Sequence, residues 1–225
     1  MVARPWSLFA PGAAELAKIL QPSRAALLVI DIQNDFAHPD GVMARMGVDM
    51  SAVEPAVAAS DRLVQAARAA GLPVVFIALE TSAALDSRAA ILRRSRLGQA
   101  DVEDKRVCRK GKWGAEWYRL TPGPEDICVS KARYASFQDT ELDLLLRARG
   151  IDTLVVCGLT TECCVETAVR DAFHRDYNVF LAEDACAAYD PQLHETSVRT
   201  MAIYHALIVT CDAVSEAWAT LITRR

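Results

Sequence analysis

The chain has 225 residues, 52% of them hydrophobic, with a formal net charge of −4 and a pI near 5.6. A chain of that size buries a full core without disulfides or metals, so residues 1–225 are expected to form a single domain. Acids and bases are interspersed, which leaves no basic face for nucleic acid or anionic lipid. Seven cysteines, an odd count scattered through apolar segments, fit a reducing, cytoplasmic compartment better than a disulfide framework.

The opening "MVARPWSLFAPGAAELAKIL" is interrupted by Pro5, Pro11 and Lys18, so neither a signal peptide nor a membrane span is expected there. "AALLVID" (25–31) and "LPVVFIALE" (72–80) are short, continuously apolar runs of the kind that form strands buried on both faces. Between them "SAVEPAVAASDRLVQAARAAG" has a helical pattern that Gly71 is placed to end, which makes a βαβ unit. A polar stretch rich in Arg, Lys and Trp (81–124) reads as loop and short helix. After it strands and helices alternate: "DICVSK", "TELDLLLRARG" with a capping-box pattern at Thr140 and Asp143 and a stop at Gly150, "DTLVVCGL", "CVETAVRDAFHRD", "YNVFLAED", "PQLHETSVRTMAIYHA", "LIVTCDA" and "VSEAWATLI". The pattern predicts a three-layer, Rossmann-like α/β fold with about six parallel strands and helices on both faces. Ligands of such sheets bind beyond the carboxyl ends of the strands.

The residues that follow the strands are Asp31, Glu80, Lys131 and the pair Cys163–Cys164. A thiol at a helix N-terminus beside an ammonium is expected to have a lowered pKa, and a nearby carboxylate can take its proton and later activate water. Each residue alone reads as easily as a turn, a solvated charge or a small core side chain; their joint placement is what points to a nucleophile. In the helix after the fourth strand Val165, Ala168, Val169, Ala172 and Phe173 define an apolar stripe, and Cys164 lies nearer its edge than Cys163. That wheel favours Cys164 only weakly.

"ALLVIDIQNDF", "KARYASF" and "CGLTTECCVETAVRDAF" resemble the isochorismatase-like cysteine hydrolases, from about residue 24 to 212. The resemblance implies Cys164 as nucleophile in a G-x-x-T-x-x-C-V pattern filled by Gly158, Thr161, Cys164 and Val165. It implies Asp31 and Lys131 as catalytic partners and a cis peptide at Leu159–Thr160. A cysteine in this position favours hydrolysis of a carbon–nitrogen bond over the vinyl-ether cleavage of isochorismatases proper. The metal-site histidines of nicotinamidases have no counterpart, since no histidine lies between 39 and 173, so no metal or other cofactor is expected.

The expected function is a cysteine-dependent amidohydrolase acting through a thioester, with an oxyanion held by the backbone N–H groups of Thr160 and Cys164. Phe36, Glu80, Trp113, Tyr134 and Phe137 are expected to bind the substrate, because they follow strands or lie in the covering loops. "KGKWGAEWYRLTPGPED" with "KARYASF" looks closer to the ureidoacrylate, biuret and N-carbamoylsarcosine branch than to nicotinamidases, so a small ureido or amide compound is expected. A nicotinamidase- or maleamate-type amidase is the alternative within the family. A non-catalytic interaction module and a redox protein using Cys163–Cys164 rank below these. The expected assembly is a homo-oligomer, dimer or tetramer, without nucleic-acid or membrane partners.

Overall fold

The computed structural model describes residues 11–99 and 102–223; residues 1–10 of the stretch read above for a signal peptide lie outside them. Six strands, β1 (Ala25–Ile30), β2 (Val74–Leu79), β3 (Ile127–Lys131), β4 (Thr153–Leu159), β5 (Asn178–Ala187) and β6 (Leu207–Val209), form one parallel sheet in the order β3-β2-β1-β4-β5-β6. Every residue of β1 and of β4 is buried, as the unbroken apolar runs require of central strands.

The sheet is wound outward in both directions from the β1/β4 pair. α4 (Val53–Ala70) links β1 to β2 and α7 (Glu166–Phe173) links β4 to β5; right-handed crossovers running in opposite directions place these helices on opposite faces. α4 packs with α9 (Cys211–Ile222), which also packs with α1 (Ala13–Ile19), while α7 packs with α8 (Pro191–Tyr204). Gly71, in the left-handed region with φ of 77°, ends α4 as its placement predicts. The remaining helices are short: α2 (Asn34–Ala37), α3 (Val42–Arg45), α5 (Arg88–Arg96) and α6 (Leu142–Ala148).

Two local expectations are corrected. The capping box at α6 does not form: Thr140 Oγ1 donates to the Ser136 carbonyl at 2.6 Å, and Asp143 accepts from the Tyr177 hydroxyl at 2.8 Å. Thr140 bonds the turn before it and Asp143 a distant tyrosine instead of each other's ends of the helix, which starts only at Leu142. Phe173, placed on the buried stripe of α7 by its spacing, is 44% exposed: it is the last residue of the helix and meets the His205 ring edge-on at 5.3 Å. No helix among the described residues is long and apolar enough to cross a membrane.

Candidate active site

Strand order reverses between β1 and β4, and both chains leave the sheet there at their carboxyl ends, where open parallel sheets bind ligands. Asp31 is the first residue past β1. Its φ of 51° is left-handed, a conformation that aspartate tolerates better than most residues, and its carbonyl accepts from the Gln33 N–H at 2.8 Å. The chain therefore turns sharply with the Asp31 side chain completely buried.

Lys131 closes β3, and its Nζ lies 2.8 Å from Asp31 Oδ2 and donates to the Tyr134 carbonyl at 2.9 Å. Apart from that ion pair neither Asp31 oxygen has a hydrogen-bond partner among the described residues, so Oδ1 keeps its acceptor capacity in a place with no solvent. Burial draws the Lys131 ammonium down, but the charges of Asp31 and Cys164 outweigh it and hold its pKa above the ordinary value.

β4 is brought against β1 by Gly158, which has φ of 125° and no room for a side chain: a Cβ there would sit 2.1 Å from the Ile30 carbonyl oxygen. The Leu159–Thr160 peptide that follows is cis. The expectation of an α-helix opening at Cys164 is corrected. Thr161–Val165 forms one wide π-helical turn, with the Val165 N–H bonded to the Thr160 carbonyl at 3.2 Å, and α7 begins only at Glu166. From outside, Thr161 Oγ1 is tied to His194 Nδ1 of α8 at 2.8 Å. In this turn Cys164 is buried at 5% exposure and Cys163 is half-buried.

The expected lowering of the Cys164 pKa is also corrected. The Cys163 thiol beside it, burial and the Asp31 charge hold the Cys164 thiol well above its ordinary value, and Lys131 offsets them only in part.

"DIQNDF" divides its labour by residue. Gln33 is buried and its amide bonds both the N–H and the carbonyl of Leu79, at 2.9 and 3.0 Å, and the Ala115 carbonyl at 2.7 Å. Asn34 Nδ2 donates to the Trp113 carbonyl at 2.9 Å. Asp35 accepts from the N–H groups of Cys108 and Val42 at 2.7 and 3.2 Å, and Gly114 lies so close that a Cβ would fall 2.1 Å from Asp35 Oδ2. These three side chains staple the loop 107–118 to the end of β1.

A cavity of about 670 Å³ opens over the π-helical turn, with Cys163, Cys164 and Thr160 in its lining. Of the expected substrate-binding residues, Phe36 and Tyr134 line it and Glu80, Trp113 and Phe137 do not. Leu79 takes the cavity side at the end of β2, so the next residue along the strand, Glu80, faces elsewhere and meets Ser130 Oγ at 2.7 Å and Lys110 at 3.3 Å. Trp113 sits on the surface, 44% exposed, edge-on to His38 at 4.9 Å. Phe137 turns into the core and packs on Tyr177 at 5.8 Å, under the Arg175 guanidinium.

Sequence reasoning did not single out the basic wall of the cavity, Arg93, Arg94, Lys105 and Arg106, nor Glu162 and Tyr189. The signal for the first was the basic composition of 81–124, which marks no position by itself. Glu162 stood inside a motif whose spacing treats it as a filler. Among the described residues no group of three or more His, Cys, Asp or Glu is arranged to hold a metal ion.

A family model described as the isochorismatase domain matches residues 25–213. The chain belongs to the isochorismatase-like hydrolase family. It is 35% identical over 211 residues to a protein of Methylobacterium radiotolerans named ureidoacrylate amidohydrolase RutB, covering 88% of this chain and 81% of that one. A protein of the same name from Variovorax paradoxus is 37% identical over 214 residues, covering 89% and 83%. Among solved structures, a cysteine hydrolase from Pseudomonas syringae pv. phaseolicola superposes with a TM-score of 0.77 at 29% identity, over 89% of this chain and 95% of that one. N-carbamoylsarcosine amidase from Thermoplasma acidophilum gives 0.66 at 30% identity, over 84% and 97%.

Proposed function

We propose that this hydrolase cleaves a carbon–nitrogen bond of a small linear ureido or amide compound, with Cys164 as nucleophile and a thioester as intermediate. The observation that carries the reading is the Asp31 carboxylate: fully buried, held by Lys131 at 2.8 Å and left with Oδ1 unpaired. A buried charged acceptor without a partner is costly, and such groups concentrate where protons are moved. The relatives' names, which print a ureido and an N-carbamoyl group, support the substrate class.

In this mechanism Asp31 takes the Cys164 proton as the sulfur adds to the carbonyl carbon. The backbone N–H groups of Thr160 and Cys164 receive the oxyanion, and each such donor contributes about 3 kcal/mol in measured cases. The protonated Asp31 returns the proton to the departing nitrogen, which leaves as ammonia or an amine. Asp31 then deprotonates the water that opens the thioester. Lys131, charged throughout, keeps Asp31 in place and steadies the thiolate while it exists. The reading also takes the enzyme to be cytoplasmic and a homo-oligomer.

A panel of ureidoacrylate, N-carbamoyl amino acids, biuret and maleamate, with nicotinamide and isochorismate as controls, tests the reading through released ammonia. A ureido compound is expected to be preferred by at least about tenfold in kcat/KM, because a site that hydrogen-bonds a second nitrogen leaves buried groups unpaired when the ligand lacks it. Preference for nicotinamide would refute the substrate class while leaving the nucleophile untouched. Turnover is expected to survive dialysis against a strong chelator. Activity restored only by zinc, iron or manganese would overturn the metal-free mechanism.

A further inference from the structure

Glu162 is the only carboxylate among the described residues that line the cavity over Cys164. Its Oε2 is buried and accepts no hydrogen bond from the described residues. Burial pushes its carboxyl above the usual carboxylate range, against hydrogen bonds from its own N–H and the Thr160 hydroxyl that draw it down, so Oε2 is the oxygen left open. Glu162 belongs to the π-helical turn itself, next to Cys163, and Cys163 and Tyr189 line the same cavity. The mechanism above gives it no task, and an unpaired buried acceptor is a standing cost that a bound donor removes.

We propose that Glu162 is the residue that selects a ureido group over a simple amide, by accepting N–H donors from both nitrogens of the substrate. The proposal rests on the amidohydrolase reading and deepens it. A urea unit presents two parallel N–H bonds on the edge opposite its oxygen, and a carboxylate accepts such a pair in the same planar, two-point manner in which it accepts an arginine fork. An amide with a methylene in place of the second nitrogen offers one N–H on that edge. With the carbonyl oxygen directed to the backbone N–H groups of the turn, the N–H edge is left for an acceptor in the cavity, and Glu162, with Oε2 unpaired, is the carboxylate that lines it among the described residues. The rest of the ligand then extends along a wall carrying Arg93, Arg94, Lys105 and Arg106, which suits a carboxylate tail.

N-carbamoyl-β-alanine and glutaramate are an isosteric pair that differ by one NH for one CH2, and both carry the carboxylate. The experiment measures kcat and KM for both with the native enzyme, Glu162→Gln and Glu162→Asp. The native enzyme is expected to favour the ureido acid, and in Glu162→Gln the ratio of the two kcat/KM values is expected to fall at least about tenfold, chiefly through KM. Glu162→Asp, which keeps the acceptor pair on a shorter stem, is expected to fall between them. A ratio within about twofold of native in both variants overturns the role of Glu162, as does a parallel loss on both substrates, which is what a purely structural side chain would give. Failure is separable from that of the underlying reading: if native enzyme releases no ammonia from either substrate, the amidohydrolase reading falls, and if Cys164→Ala releases as much as native, the nucleophile falls, whatever Glu162 does.

Discussion

Cys164→Ser is expected to lower kcat on any substrate of the panel by at least about a thousandfold, the scale at which loss of a covalent nucleophile is measured elsewhere. Cys163→Ala is expected to retain activity within about tenfold of native. The two residues are adjacent, so the contrast tests the register of the whole turn. Cys164 is the buried member, and the Asp31 charge that raises its pKa is the same group that would receive its proton. Cys163 is half-exposed to the cavity and donates no bond that the mechanism uses. Rates from released ammonia, with melting curves to show that both variants fold, settle the matter. Equal loss in both variants would mean that the pair acts as a unit and would revive a vicinal-thiol chemistry.

The second large effect concerns the ion pair. Lys131→Met strands a carboxylate in a place of zero exposure, and Asp31→Asn strands an ammonium. Breaking a buried pair from one side costs about 3–5 kcal/mol, whereas removing both charges is often close to neutral. Each single variant is therefore expected to unfold at markedly lower denaturant, and the double variant Asp31→Asn with Lys131→Met to recover most of the difference. Turnover is expected to be lost in all three, because no base remains in the variants that lack Asp31, and in Lys131→Met nothing offsets the forces that hold the thiol up. Alkylation of Cys164 by iodoacetamide at neutral pH should accordingly slow in Lys131→Met. A double variant that regained turnover along with stability would remove the pair from the chemistry and leave it a structural role.

Much of this arrangement could be read before any coordinates. β1 and β4 are unbroken apolar runs because both faces are covered, and the residues that follow or close the strands include Asp31 and Lys131, which the structure pairs at 2.8 Å. The choice between Cys163 and Cys164 was harder. A helical wheel assumes α geometry, and the residues concerned lie in a π-helical turn, so it is the family pattern rather than the wheel that implies Cys164. Glu80 and Phe137 failed as pocket residues because nearness in sequence to a strand end says nothing about which side a side chain takes. The basic wall could not be located, since α5 and the turns after it present no apolar stripe from which to orient them; none of the residues of α5 is buried.

Gln33, Asn34 and Asp35 have a further bearing on how this protein could diversify. The loop 107–118 has little regular structure of its own and takes its shape from three side chains attached to β1, whereas the cavity's basic residues sit on stretches outside those fastenings, at 93–94 and 105–106. The cavity's basic residues and the proposed reacting groups thus lie in different parts of the chain, with Glu162, in the turn itself, as the lining residue they share. On the reading proposed above, substitution in the outer stretches is expected to alter which molecules are admitted while leaving Asp31, Lys131 and the turn of Cys164 where they are, so a lineage carrying this fold could change its diet without rebuilding its teeth.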